Sequence, residues 1–208
     1  MPQIIRLFFI LCLLPFYSYA TTFIDGKDYK TISVPHNALN SEKSHVSVIE
    51  FFSPGCPWCF KLQPALEAWL KTKPSYVVFS RNPVAFESGW DAYQKAYLIA
   101  AALNKEKIIL PALFKAIQVD NANLTSEDAL ADFFEKYGVK PAIFHALYHS
   151  PSIDLERAHA NSLMATYKIY EIPSLLINGK YVISSSTAQG NDERMIQILN
   201  YLIAKAHG

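Results

Sequence analysis

One short segment constrains the fold more than any other, because a strand pattern changes there into a helix pattern. Residues 46–52 are β-branched and aromatic and end before Pro54-Gly55, which predicts a buried strand. From Pro57 onward apolar residues recur at helical spacing, and proline suits the first helical position, where no backbone donor is needed. Cys56 and Cys59 therefore lie at the start of a predicted helix, directly after a predicted strand.

The rest of the chain predicts an α/β fold interrupted by helices. Residues 75–80 predict a second strand, and residues 172–181 predict two strands joined by a tight turn. Thr125 begins a sequence that resembles a capping box, with Asp128 in place of Glu or Gln. The predicted helices after the second strand cover residues 89–103, 111–119, 125–138, 141–149, 153–167 and 192–205. All but the last would form one helical insertion.

Residues 1–20 have the pattern of a cleaved secretory signal peptide. Arg6 is the only charge, residues 7–16 are apolar, and Ser18 and Ala20 supply small residues before a cut after Ala20. The apolar run is short for a membrane span. The alternatives are an uncleaved anchor and a lipid-modified Cys12, which the bulky residues before it disfavour. The pattern predicts export from the cytosol.

Removal of residues 1–20 changes the counts of charges and cysteines. Lys and Arg fall from 19 to 18, against 18 Asp and Glu, so no excess of basic charge points to nucleic acid. Of 3 cysteines, Cys56 and Cys59 remain. An exported protein with one close pair has no disulfide framework, so the pair can cycle between thiol and disulfide without scrambling a structural bond.

The position of the pair predicts redox chemistry. The N-terminus of a helix carries unpaired N–H donors and positive potential, which stabilise a thiolate and lower its pKa. We expect Cys56 to be the exposed nucleophile and Cys59, one turn into the helix, to be its disulfide partner. A low pKa of Cys56 would stabilise the reduced form and make the disulfide a stronger oxidant.

Two other interpretations of the pair stay open. Half of a zinc site would need two further ligands, and no other cysteine is left to supply them. His145, His149 and His159 fit helix-surface or packing roles more simply, so we predict no metal. A structural disulfide would close so short a loop that it constrains little of the unfolded chain.

Glu50 interrupts the apolar strand six residues before Cys56. We predict that its carboxyl group is buried near the cysteine pair, that burial raises its pKa, and that it accepts a proton from Cys59. The alternative is a glutamate on an edge strand that faces solvent. Pro173 opens a predicted strand, and from the sequence alone its peptide bond would be trans, as most are.

Taken together, these motifs resemble the DsbA family of bacterial periplasmic disulfide oxidoreductases, which are thioredoxin folds with a helical insertion. The similarity spans the chain after residue 20, although the insertion matches in length and helical character more than in residues. It implies a thioredoxin-like domain at residues 21–85 and 169–208, with the helical insertion at residues 86–168. The residues that carry the resemblance are Phe23 to Tyr29, Val48 to Ser53, Cys56-Pro57-Trp58-Cys59 and Ile172 to Tyr181.

The resemblance assigns roles to individual residues. Cys56 corresponds to the nucleophile, Cys59 to its buried partner and Glu50 to the buried acid. Pro173 corresponds to a cis-proline whose loop packs against the disulfide and binds the substrate chain, so the Ile172–Pro173 bond should be cis. The predicted substrate contacts are Pro57, Trp58, Ile172 and Pro173.

The chain departs from the family's best-known pattern at two positions. Trp58 stands where that pattern has histidine, whose positive charge would lower the pKa of the thiolate further. Trp58 predicts a milder oxidant, and its ring could contact apolar substrates or only pack across the helix start. Ser80-Arg81 lies where the family has a lysine near the buried acid, so the charge partner of Glu50 should be altered.

The resemblance implies an enzyme that donates its Cys56–Cys59 disulfide to exported proteins and is reoxidised by a DsbB-like, quinone-linked membrane partner, with no cofactor of its own. Residues 21–45 are too few for the added dimerisation domain of the related isomerases, which favours a monomeric oxidase. The alternatives are a reductase or isomerase kept reduced by another membrane partner, and a periplasmic peptide-binding chaperone without redox activity.

Overall fold

The structure, a computed structural model, describes residues 22–33 and 45–208. The predicted signal peptide, its cleavage site and Cys12 lie outside the described residues. The described part forms one five-stranded sheet and seven helices. In chain order these are β1 (Lys30–Thr31), β2 (Val46–Phe52), α1 (Pro57–Thr72), β3 (Val77–Pro83), α2 (Trp90–Ala102), α3 (Glu106–Gln118), α4 (Glu127–Glu135), α5 (Pro141–Tyr148), α6 (Pro151–Thr166), β4 (Ser174–Ile177), β5 (Tyr181–Ser184) and α7 (Asp192–His207).

The sheet has the strand order β1-β5-β4-β2-β3. β2 runs parallel to β3 and antiparallel to β4, and the β4–β5 and β5–β1 pairs are also antiparallel. β2 therefore lies inside the sheet, which makes the alternative of an edge-strand Glu50 wrong. β3 is the last strand on its side. The helices α2 to α6 all lie between β3 and β4 in the sequence, where the helical insertion was predicted.

Alternating side chains of β2 face opposite sides of the sheet. Val46 and Val48 belong to a core with α1 and α7, whereas Ile49 and Phe51 pack with Tyr167 on the other face. Phe52 ends the strand against the helical insertion, with its ring 5.0 Å from that of Tyr97 and 6.2 Å from that of Phe114. The insertion is thus anchored to the sheet immediately before the loop that leads to Cys56.

Two helix starts differ from the sequence prediction. Ser126, not Thr125, caps α4, because its hydroxyl accepts a hydrogen bond from the backbone N–H of Ala129 at 3.3 Å. α3 begins at Glu106 and continues through Pro111, which was predicted as its first residue. A proline inside a helix removes one backbone hydrogen bond, but α3 buries Ile109, Leu110, Leu113 and Phe114, and this burial offsets the loss.

No helix in residues 22–33 and 45–208 has the length and apolar character needed to span a bilayer.

His145 and His149, for which the sequence predicted surface or packing roles, both contact the carboxylate of Glu127, at 2.6 and 2.9 Å. These contacts tie α5 to the first turn of α4. Across the described residues, no three His, Cys, Asp or Glu side chains are grouped as a metal ion would require.

Candidate active site

Cys56 is the N-cap residue of α1, and Pro57 occupies the first position of the helix, as predicted. The backbone of Cys56 is extended, with φ −86° and ψ 116°, and its Sγ accepts a hydrogen bond from the backbone N–H of Cys59 at 3.1 Å. The sulfur takes the place of the side-chain oxygen that usually caps a helix. One of the free donors of the helix therefore points at the predicted nucleophile.

Cys56 is less accessible than the sequence led us to expect. Only 4% of its surface is exposed, against 0% for Cys59, so the prediction of an exposed nucleophile is wrong as stated. The Ile172 carbonyl lies 3.7 Å from the Cys56 Sγ, so the loop before β4 covers the sulfur. Pro57 and Trp58 beside it are exposed, which leaves an approach to the sulfur from their side.

The two thiols are free and differ strongly in pKa. The pKa of Cys56 lies below its usual value because the Cys59 thiol and the backbone N–H groups of Cys59 and Trp58 donate to its sulfur, against the opposing effects of burial and Glu50. Burial is the main cause that raises the pKa of Cys59 well above its usual value, and the contact with Cys56 adds to it. Cys56 is therefore the first of the two thiols to ionise, and Cys59 keeps its proton to higher pH.

This difference predicts two separate titrations in the reduced protein. Thiolate absorbance in the ultraviolet should rise by one thiolate below the usual cysteine pKa of 9.0 and by a second only above it. Cys56→Ser should remove the first step and keep the second. Since the folded Cys56 has the lower pKa, the reduced fold should lose stability as the pH falls through that pKa. If Cys56→Ser shows the same first titration step as the unmutated protein, that step does not belong to Cys56.

Glu50 is fully buried, as predicted, and both of its carboxylate oxygens have partners. Arg81 Nε donates to Oε2 at 2.7 Å, and Gln63 Nε2 donates to Oε1 at 3.0 Å. The same Gln63 nitrogen also donates to the carbonyl of Cys59 at 3.1 Å, which links the acid to the helix turn of the buried cysteine. Burial raises the pKa of Glu50 despite the opposing effects of Arg81 and Gln63.

Gln63 and Glu67 also belong to this site, although neither was predicted from the sequence. Arg81 Nη2 donates to Glu67 at 2.7 Å and to Gln63 Oε1 at 3.2 Å, so the guanidinium joins Glu50 to the outer face of α1. Cys59, Gln63 and Glu67 are spaced by four residues and share one helix face. This spacing is the feature of the sequence from which Gln63 and Glu67 could have been predicted. The altered partner predicted for Glu50 is Arg81, an arginine that makes these contacts from the neighbouring strand.

The Ile172–Pro173 peptide bond is cis, which confirms the prediction from the resemblance. β4 begins at the next residue, and Ser174 pairs with Phe51 of β2. This pairing brings the proline loop beside the end of the strand that leads to the cysteines. Ser185 N–H donates to the Pro173 carbonyl at 3.2 Å, which ties the loop to the end of β5.

Trp58 has 54% of its surface exposed. The ammonium group of Lys61 lies 5.2 Å from the centre of the indole, over its face. Packing across the helix start therefore accounts for less than half of the side chain. The remainder of the indole is open to a partner next to Cys56.

Comparison with known proteins agrees with this geometry. Residues 47–198 match the family model described as a DSBA-like thioredoxin domain. The chain belongs to this family. It is 33% identical over 156 residues to the thiol:disulfide interchange protein DsbA of Burkholderia cepacia, covering 75% of this chain and 73% of the relative. The DsbA of Azotobacter vinelandii is 29% identical over 178 residues, covering 86% and 82%.

Solved structures of the DsbA family have the same fold. The crystal structure of Pseudomonas aeruginosa DsbA superposes with a TM-score of 0.81 at 29% identity, covering 88% of this chain and 94% of that one. DsbA from Xylella fastidiosa gives 0.78 at 26% identity, covering 88% and 96%. The predicted family, its thioredoxin fold and its class of activity, thiol:disulfide oxidoreductase, are confirmed.

In this DsbA-family chain the helical insertion also holds the loop before Cys56. Gln118, the last residue of α3, donates from Nε2 to the Pro54 carbonyl at 2.8 Å. At Gly55 a Cβ would lie 2.6 Å from Nε1 of Trp90 and 3.0 Å from the Tyr93 ring, so α2 leaves no room for a side chain there. The insertion thus fixes the path of the chain into the motif.

Gly55→Ala should therefore destabilise the protein by about 1–3 kcal/mol, because the added methyl group overlaps the Trp90 ring. Trp90→Phe in the same chain should recover part of the loss, since the shorter ring leaves space. Urea unfolding of the two single variants and the double variant measures this coupling. If the two substitutions lower the free energy of unfolding additively, the Trp90 ring and the loop at Gly55 do not interact.

Proposed function

We propose that this protein is an oxidase that donates the Cys56–Cys59 disulfide to cysteines of exported proteins in the periplasm. The observation that carries the proposal is the Cys56 sulfur at the N-cap of α1, where it accepts the Cys59 N–H and has a lowered pKa, whereas the pKa of the buried Cys59 is raised. A stabilised thiolate favours the reduced enzyme and so makes its disulfide more oxidising. A low-pKa sulfur is also the better leaving group when a client cysteine resolves the mixed disulfide.

The reaction proceeds by two thiol–disulfide exchanges, and each one forms an S–S bond as it breaks another. A client thiolate attacks the Sγ of Cys56, an S–S bond forms between them, and Cys59 leaves as a thiolate. A second client thiolate attacks the client sulfur of the mixed disulfide and releases Cys56 as a thiolate. The client gains one disulfide, and the enzyme gains two electrons.

Glu50 acts in this scheme as the proton carrier for Cys59. Protonated Glu50 supplies a proton when the Cys59 thiolate leaves, and ionised Glu50 accepts it when Cys59 attacks during reoxidation. Burial, which raises the pKa of the carboxyl group, supports both roles. Gln63 and Arg81 position the carboxylate, each through a hydrogen bond to one of its oxygens.

The client chain is held by Pro57 and Trp58 on one side of Cys56 and by Ile172 and Pro173 on the other. Exposure of Pro57 and Trp58 and the contact of the Ile172 carbonyl with the Cys56 sulfur support this arrangement.

The remaining parts of the proposal are a cleaved signal peptide at residues 1–20, domain limits at residues 21–85, 86–168 and 169–208, a monomer without cofactor or nucleic acid, and reoxidation by a DsbB-like membrane quinone reductase.

Trapping of free thiols in growing cells tests the direction of exchange. An oxidase keeps Cys56 and Cys59 mainly as a disulfide, whereas an isomerase or reductase, the first alternative, keeps them mainly reduced. A double Cys56→Ser, Cys59→Ser variant tests the second alternative, a chaperone. If that variant restores client folding in cells that lack the protein, binding and not exchange is the function.

Trp58→His should make the enzyme a stronger oxidant, because an imidazolium next to Cys56 stabilises its thiolate. Each tenfold gain in the equilibrium constant for reduction raises the potential by about 30 mV. Equilibration with a glutathione buffer measures the change. Trp58→Phe, which adds no charge, is the control and should shift the potential much less. Equal potentials for both variants would mean that charge at this position does not set oxidising power.

A further inference from the structure

A large cleft shares Gln63 and Arg81 with the Glu50 site, but the exchange steps at Cys56 do not use its interior. It has a volume of about 920 Å³ and opens between α1 and α3, along the outer side of β3. Its lining is largely apolar. Its walls include Phe60 and Pro64 of α1, Phe79 and Arg81 of β3, and Lys107 and Pro111 of α3.

The outer edge of β3 faces this cleft. Two bonds, Val46 N–H to the Tyr76 carbonyl at 3.0 Å and Val84 N–H to the Phe52 carbonyl at 2.8 Å, show that even-numbered residues of this segment bond to β2. The backbone groups of odd-numbered residues therefore point away from the sheet. No described strand pairs with that side.

Both ends of this edge are already satisfied. Val77 N–H donates to the Pro74 carbonyl, and the Val77 carbonyl accepts from the Lys73 ammonium group. Pro83 has no N–H, and its carbonyl accepts from Gln94 at 2.8 Å. Phe79 and Arg81 remain, and within residues 22–33 and 45–208 their backbone N–H and C=O groups have no partner. We call these groups the open edge.

The cleft walls add two more backbone acceptors. Pro64 has no N–H to offer the carbonyl of Phe60, and Pro111 has none for the carbonyl of Lys107. All four of these residues line the cleft. The cleft thus combines apolar walls with backbone groups that lack their regular partners, and an extended polypeptide main chain supplies donors and acceptors at the spacing of a strand edge.

We propose that the cleft binds an extended segment of the client polypeptide, which pairs with the open edge as an added strand. The inference rests on the proposed function for the class of occupant, an unfolded protein. The open edge covers residues 79–81, so about three client residues would pair at about 3.3 Å per residue. The apolar lining favours apolar client side chains. The site would hold a client at a second point, separate from Cys56.

The test uses the full chain and a probe without free thiols, an unfolded polypeptide such as carboxymethylated lactalbumin, so that no disulfide can form. Amide hydrogen exchange at Phe79 and Arg81 should slow at least about tenfold with saturating probe, because both N–H groups gain acceptors. Exchange at Val77, already bonded to Pro74, should not change. Binding of the probe without slower exchange at Phe79 and Arg81 would overturn the proposal.

A substitution provides the second arm. Phe79→Pro removes one N–H of the open edge without removing a bond to β2, and it should weaken probe binding about fivefold to tenfold. Phe79→Leu keeps the N–H and is the matched control. Equal affinity in the two variants would also overturn the proposal. Exchange with a small dithiol should persist in both, so loss of the cleft site is distinguishable from failure of the proposed redox function.

Discussion

Cys56→Ser should abolish disulfide exchange, whereas Cys59→Ser should form a mixed disulfide with an oxidised client through Cys56 and go no further. Serine at position 56 cannot form the mixed disulfide at all. Serine at position 59 leaves Cys56 able to bond a client sulfur but removes the thiol that releases the enzyme by intramolecular attack. The difference follows from the N-cap position of Cys56 and from the burial of Cys59.

The measurement is non-reducing electrophoresis of each variant after mixing with an oxidised client, together with the rate at which each variant and the unmutated protein oxidise a reduced client. Cys59→Ser should accumulate a band of enzyme bonded to client that disappears on reduction. Cys56→Ser should give no such band, and its rate should fall to that of the uncatalysed reaction. Full activity in Cys56→Ser, or trapping through Cys59 instead, would reject the assignment of the nucleophile.

The elements that carry this chemistry could be predicted because their signals are local. The β-branched run of β2 and the proline at the first position of α1 determine the strand–turn–helix unit by themselves. The cis bond before Pro173 came only from the resemblance, since both isomers suit the local sequence. The cap of α4 was assigned one residue early because Thr125 and Ser126 are both good N-cap residues.

Contacts between distant segments could not be predicted in the same way. Cys56 is buried because the Ile172 carbonyl, 116 residues away, covers its sulfur. Arg81 reaches Glu50 because β3 lies beside β2 in register, with these two residues paired. The hydrogen bond from Gln118 to the Pro54 carbonyl depends on how the insertion packs against the sheet. Gln63 and Glu67 did have a local signal, their helical spacing from Cys59.

Glu50→Gln should slow the attack of Cys59 on the mixed disulfide by about 100-fold near neutral pH, because the amide cannot accept the proton. In the unmutated enzyme this rate should fall as the pH drops through the raised pKa of Glu50, since the protonated carboxyl group is no longer a base. The variant should lack that inflection. Its deficit should shrink as the pH rises toward the pKa of Cys59, where solvent can take the proton.

Glu67→Gln is the matched control, because Glu67 contacts the same guanidinium but lies on the outer, more exposed side of Arg81. It should change the rate by no more than about threefold, in line with the small energies of exposed ion pairs. Stopped-flow measurement of mixed-disulfide decay across pH follows both variants. If they slow the reaction equally and keep the same pH profile, the field of Arg81 and not proton transfer at Glu50 controls the step.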